Sequence, residues 1–154
     1  MRKNPPETMR IPKKIPSSAL ALLAAGLLIA GCGTDKQEST TLKLETFTSP
    51  KGNIGCIADS TMVRCDIAKH SWNVKPDPKC QLDYGNGLAV ADKHGYVVCA
   101  GDTTMNNGPS VPAGNINLVS PFECQTNEAG DGMHCENVNT GHGFDLSPES
   151  YSTF

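Results

Sequence analysis

The chain has 154 residues, and its 13 Lys and Arg against 16 Asp and Glu leave a formal net charge of −3. No Lys or Arg follows Lys93, while seven acids do, so the clustered cations that nucleic-acid binding needs are missing and that class of partner is excluded. Aromatic residues make up only 5%, which bounds the chain to one small domain with a modest core.

In chain order, Arg2, Lys3, Arg10, Lys13 and Lys14 form a basic stretch, and every residue from Ala19 to Gly31 is apolar or glycine. That run is shorter than the roughly 20 residues a helix needs to cross the hydrocarbon core, so it reads as the apolar segment of a signal peptide. Ile29-Ala30-Gly31-Cys32 resembles the lipobox of bacterial lipoprotein precursors. The resemblance implies removal of residues 1–31 and a diacylglyceryl group on the Cys32 thiol. Two acyl chains meet the requirement for stable membrane attachment. Seven cysteines fit this expectation, since six can pair and lipidation accounts for the odd one. Initiation at Met9 instead of Met1 would give a more usual basic segment and the same mature chain.

The mature chain carries eight Lys and Arg against fifteen acids, a net of −7. An acidic domain is held off an anionic bilayer, so the lipid is the expected membrane contact and the extracytoplasmic face of the cell membrane the expected location. Residues 32–46 are polar and read as a tether, leaving 47–154 as the folded domain.

From Phe47 onward, turn residues recur every few positions, as in Ser49-Pro50-Lys51-Gly52, Gly85-Asn86-Gly87, Asn107-Gly108-Pro109 and Gly130-Asp131-Gly132. No stretch is long and periodic enough for a helix. Short β-type runs lie between the turns: 54–58, 62–67, 88–91, 96–100, 116–119, 122–126 and 133–138. The expected class is all-β or nearly so, a small disulfide-braced domain of short antiparallel hairpins, sandwich or barrel-like.

Six cysteines remain, Cys56, Cys65, Cys80, Cys99, Cys124 and Cys135, with no C-x-x-C pair to suggest zinc or redox chemistry. In an exported protein they read as disulfides. Many connectivities are open; the hairpin reading favours Cys56–Cys65 and Cys124–Cys135 across paired strands, with Cys80–Cys99 left over. The second member of each pair recurs at 65, 99 and 135, which suggests a pseudo-threefold hairpin arrangement.

Site chemistry is sparse. The common motifs of hydrolases, nucleotide-binding proteins and zinc proteases are missing, and His70, His94, His134 and His142 lack metal-ligand spacing. Asn127 to Gly132 has a faint calcium-loop look, but Ala129 stands in a ligand slot. No cofactor and no metal is expected. Asp66, Asp102 and Asp145 could pair for hydrolysis, as acids in any acidic β-domain could. The candidates for a binding surface are Trp72, the single Trp, and the turn Gly141, His142, Gly143 and Phe144. Each has a structural alternative: Trp72 as core, and the turn as a device that buries Phe144.

Ser49-Pro50-Lys51-Gly52-Asn53-Ile54-Gly55-Cys56, Val63-Arg64-Cys65-Asp66-Ile67, Cys99-Ala100-Gly101-Asp102-Thr103 and Thr140-Gly141-His142-Gly143-Phe144 together resemble a family of small exported actinobacterial proteins and lipoproteins whose domain has no known function. The resemblance implies an envelope location and brings no catalytic residues. The expected role is a non-enzymatic binding or structural lipoprotein whose partner is an envelope protein, glycan or small ligand. The alternative is a small envelope hydrolase or enzyme inhibitor, which a pocket gathering Asp102, His142 and Asp145 would favour.

Overall fold

The computed structural model describes residues 43–154; Cys32, the signal segment and most of the tether lie outside the described residues. Ten strands are formed: β1 (Glu45–Thr48), β2 (Ile54–Ala58), β3 (Val63–Ile67), β4 (Asp83–Val90), β5 (Tyr96–Ala100), β6 (Ile116–Val119), β7 (Phe122–Thr126), β8 (Met133–Asn137), β9 (His142–Leu146) and β10 (Tyr151–Thr153). No helix occurs among the described residues. The class is all-β.

Each strand pairs antiparallel with the next, so β1 to β5 form one five-stranded meander and β6 to β10 a second. The alternation in sequence explains the layering. In β7, Phe122, Cys124 and Thr126 are buried while Glu123 and Gln125 are exposed, which puts one face of the strand inward and one outward. Inward residues of both sheets, among them Ile54, Val63, Leu88, Phe122, Phe144 and Leu146, form a single core. The sheets are therefore the two layers of a sandwich.

The cysteines pair as the hairpin reading expects. Cys56–Cys65 and Cys124–Cys135 join directly opposed residues on β2/β3 and β7/β8, each with Cα atoms 4.1 Å apart. Both bridges point inward, and Cys65 Sγ lies 3.8 Å from Cys135 Sγ at the centre of the core. Cys80–Cys99 differs: Cys80 precedes β4 in an irregular segment, Cys99 is exposed on β5, and their Cα atoms are 5.8 Å apart.

The repetition is consequently twofold, not threefold. The third bridge ties a loop to an edge strand, so it does not define a third hairpin unit. Val63-Arg64-Cys65-Asp66-Ile67 in β3 matches Met133-His134-Cys135-Glu136-Asn137 in β8. Gly87 and Leu88 of β4 stand opposite Asp66 and Cys65, as Gly143 and Phe144 of β9 stand opposite Glu136 and Cys135.

Three strands lie where the sequence pattern did not place them, and β4 starts at Asp83, passing through the Gly85-Asn86-Gly87 segment read as a turn. β1 begins at Glu45, inside the span read as tether, because Phe47 opposes Cys56 and is 2% exposed. β9 occupies the turn expected around Gly141 to Phe144. Gly141, with φ +70°, makes the turn, and pairing with β8 begins at His142. β10 pairs Tyr151 to Thr153 with β9.

Between the sheets, residues 101–111 return as a strap over the outer face of the first sheet. Thr104 is its anchor: its amide donates to Asp66 Oδ2 (2.9 Å), and its hydroxyl accepts from the Asp66 amide and donates to the Gly55 carbonyl. Glycine is required at 55, since a Cβ there would stand 2.7 Å from the Met105 Cα. The strap ends by pairing with β1, through Thr48 N to Pro109 O and Val111 N to Thr48 O.

Replacing Cys124 and Cys135 together by alanine removes a loop constraint of roughly 3 kcal/mol and also opens a void in the core. Denaturant unfolding should show a larger loss for this variant than for Cys80→Ala with Cys99→Ala, which forfeits the loop constraint alone. Equal losses would refute the central role of the core bridges.

Candidate functional site

The sequence candidates separate on folding. Phe144 is wholly buried and Gly143 is covered by the Phe154 ring, which stands 2.7 Å from where a Cβ would be. Neither belongs to a surface; alternation in β9 turns Phe144 inward, opposite Cys135. Gly141 is exposed at the turn, and the half-buried His142 ring packs on His94 with centroids 4.3 Å apart.

Trp72 is half-buried, and both sides of its ring are occupied. His70 stacks on it at 3.8 Å, Tyr151 tilts against it at 4.6 Å, and its indole N–H donates to the Ser147 carbonyl at 2.7 Å. The ring pins the irregular segment before β4 to the end of the second sheet. The half-buried ring is thus part of a bracket within the domain and not a fully exposed anchor.

The carboxylates are equally dispersed. Asp102 lies on the strap, where it accepts from Arg64 Nη1 at 2.8 Å; Arg64 also holds Asp66 through Nε and Nη2. Burial works against the Arg64 charge, but the two carboxylates outweigh it and hold the guanidinium above its ordinary value. The same hydrogen bond and charge hold Asp102 below the usual carboxylate range. The whole group fastens the strap. In the 127–132 turn, Asn127 and Lys51 occupy both Asp131 oxygens, and they lower its pKa. The calcium-like turn is thus closed by the chain's own groups. Asp102, His142 and Asp145 belong to three separate contacts and form no common pocket among the described residues.

What the fold does assemble is the outer face of the second sheet. Register places Ile116 and Leu118 of β6, Glu123 and Gln125 of β7, His134 and Glu136 of β8, Asp145 of β9 and Ser152 of β10 on one side. His134 sits at its middle: Nδ1 is 2.7 Å from Asp145 Oδ1, Nε2 is 3.6 Å from Glu136 Oε2, and the ring stacks on Phe154. The Ser152 hydroxyl donates to the other Asp145 oxygen. Serine and histidine thus both lean on the carboxylate instead of on each other, which is not the order of a nucleophile and its base. A groove of about 450 Å³ opens at one end of the face, lined by Gln125, Asn127, Glu128, His134, Asp145 and Ser150 among others. The corresponding cleft beside Arg64, under the strap, is about 230 Å³.

This face was not singled out in the sequence, although its signal was present. Around Cys124 and Cys135 the residues alternate as Glu-Cys-Gln and His-Cys-Glu. If the cysteines point inward, the polar neighbours must share the outer side.

A model described as a family of unknown function (DUF6636) matches residues 27–154. The chain belongs to this family. No curated protein and no solved structure matches it. Family membership agrees with the expectation of a domain of unknown function, and it transfers no catalytic residue. The geometry of the second sheet must therefore speak for itself. Its groups are hydrogen-bond acceptors and negative charges beside two exposed apolar side chains, Ile116 at 52% and Leu118 at 64%, a composition suited to holding a donor-rich or cationic ligand.

Because Trp72 braces two segments, Trp72→Ala should destabilise the domain by about 2–3 kcal/mol, below the 3–5 kcal/mol of a fully buried Trp. Denaturant melts followed by far-ultraviolet circular dichroism measure this. A loss under about 0.5 kcal/mol, the size of an ordinary surface substitution, would contradict the bracket.

Proposed function

We propose that this protein is an envelope lipoprotein of an actinobacterium, anchored through lipid on Cys32 and displaying a non-enzymatic binding module outside the cell membrane. The address rests on the basic and apolar N-terminal segments ending in Ile29-Ala30-Gly31-Cys32. It is supported by three disulfides, which persist in oxidising compartments.

One observation carries the binding role. The two sheets repeat each other in order and register, yet among the described residues a strap covers the outer face of the first while no such strap crosses the second, which carries a groove and exposed Ile116 and Leu118. An open face joining charges, amides and apolar side chains on a rigid scaffold is the usual form of a recognition surface. A pocket gathering Asp102, His142 and Asp145 would have favoured the hydrolase alternative, and the described residues form none. Trp72 and Phe144 serve the scaffold in this reading, and the face on β6 to β9 takes over the role first given to them.

Cys32→Ser should leave the chain unlipidated and move it out of the detergent phase in phase partitioning. Unchanged partitioning would dismiss the anchor.

For the module, immobilised wild type should retain an envelope component from detergent extracts. Glu136→Lys or Leu118→Lys should abolish retention while the melting temperature stays within a few degrees, as expected for exposed sites. Tyr96→Lys, at a 48% exposed site on the first sheet, should leave retention intact. Retention that survives both changes on the second sheet would place the function elsewhere.

A further inference from the structure

On the first sheet, an extended peptide already lies across the outer face. The strap's Asp102 meets Arg64 and its Thr104 meets Asp66 and Gly55. The repeat places His134, Glu136 and Glu123 at the positions of Arg64, Asp66 and Gly55, and Asp145 at that of Ala89. On the first face both carboxylates are thus paired with a cation, since Arg64 holds Asp66 and the strap's own Asp102. The second presents three carboxylates and one imidazole, with no Lys or Arg among the outward residues of its strands.

We infer that the outer face of the second sheet docks an extended basic segment of a partner polypeptide, lying across the strands as the strap lies across the first sheet. This rests on the binding-module reading and names its partner. Three features select that occupant. Glu123 stands directly opposite Glu136, a like-charge pair that weakens a sheet. The Glu123 side chain has no hydrogen bond or ion pair among the described residues, and the one basic side chain beside Glu136 among them is the His134 imidazole, 3.6 Å away. A Lys or Arg arriving between them would relieve the repulsion.

The second feature is steric. Gly55 lets the strap press its backbone onto the first sheet, whereas the glutamate at 123 holds an incoming backbone away. Contact at that distance suits the long stems of Lys and Arg, which can lie along the surface while the charged head reaches a carboxylate. The third is the apolar border. Ile116 and Leu118 project from the edge strand β6 two residues apart on the same side as Glu123 and Gln125. A peptide crossing from β6 toward β8 therefore meets these apolar side chains first and the carboxylates of β7 and β8 next.

The test uses the full chain, disulfides intact, in detergent micelles. Its probe is a short fluorescent peptide of alternating lysine and valine, compared with the glutamate–valine counterpart and with spermidine. Anisotropy should show saturable binding of the basic peptide only, weakening as salt is added. Glu123→Gln with Glu136→Gln should reduce affinity about tenfold, as expected when charge-assisted contacts are lost, and Leu118→Ser should reduce it as well. Amide shifts should map to β6 to β9. Equal binding of the acidic peptide, indifference to the double substitution, or binding of spermidine as tight as the peptide would overturn the inference. Self-association through this face that the peptide cannot displace would overturn it too. If the basic peptide fails while envelope capture still depends on Glu136 and Leu118, only the partner class is wrong. If capture also ignores those residues, the module reading falls with it.

Discussion

Two disulfides touching at the centre of the sandwich organise the molecule. Cys65 and Cys135 bring the sulfurs of the β2/β3 and β7/β8 bridges to 3.8 Å, so each bridge is packing material as well as a cross-link. A core with few aromatics gains little from large side chains. Phe47, Phe122 and Phe144 are the fully buried rings among the described residues, and Phe47 stands opposite Cys56 as Phe144 stands opposite Cys135. Each bridge also sets its strand pair in register, because directly opposed cysteines permit no slip without turning every side chain over. The inside and outside of both sheets follow from that register.

Once the inside is settled, the two halves differ most in what lies on their outer faces. In the first half, glycines at 55 and 87 make room. Asp66 lies over Gly87, Arg64 holds Asp66, and the strap closes on top. In the second half, Glu123 and Asp145 stand where Gly55 and Ala89 would be, and nothing in the described chain covers them. Similar backbones thus support a sealed face and an open one. The difference lies in a few outward residues that the core does not constrain, and such positions can be given to recognition without disturbing stability.

How far the sequence could be read depended on whether a signal was local. β2, β5, β6 and β7 were legible to the residue, because each is a short run of alternating or branched residues between turn residues. β9 was hidden: Gly141-His142-Gly143 reads as punctuation, and only Gly141 uses the freedom of glycine, with Gly143 needed because the Cys135 carbonyl and the Phe154 ring lie against it. β1 and β10 were missed because they are short segments at the ends of the described chain, where Glu45 and Ser152 look like polar tails. The threefold reading failed for a related reason. Cysteine spacing counts pairs, but it cannot tell a bridge between paired strands from one that ties a loop to an edge.

Turn density, cysteine parity and the want of helical periodicity were enough to establish an all-β, disulfide-braced domain and to favour the right pairing, since each concerns residues close in the chain. The same signals could not say which face would be sealed and which left open. That depends on contacts such as Thr104 with Asp66, 38 residues apart, and Cys65 with Cys135, 70 apart. A strand's pattern shows that it has two faces. Which of them meets the core, the strap or the solvent is settled only when the other strands have taken their places, and that is why the open acidic face emerged from the packed sheets and not from any motif.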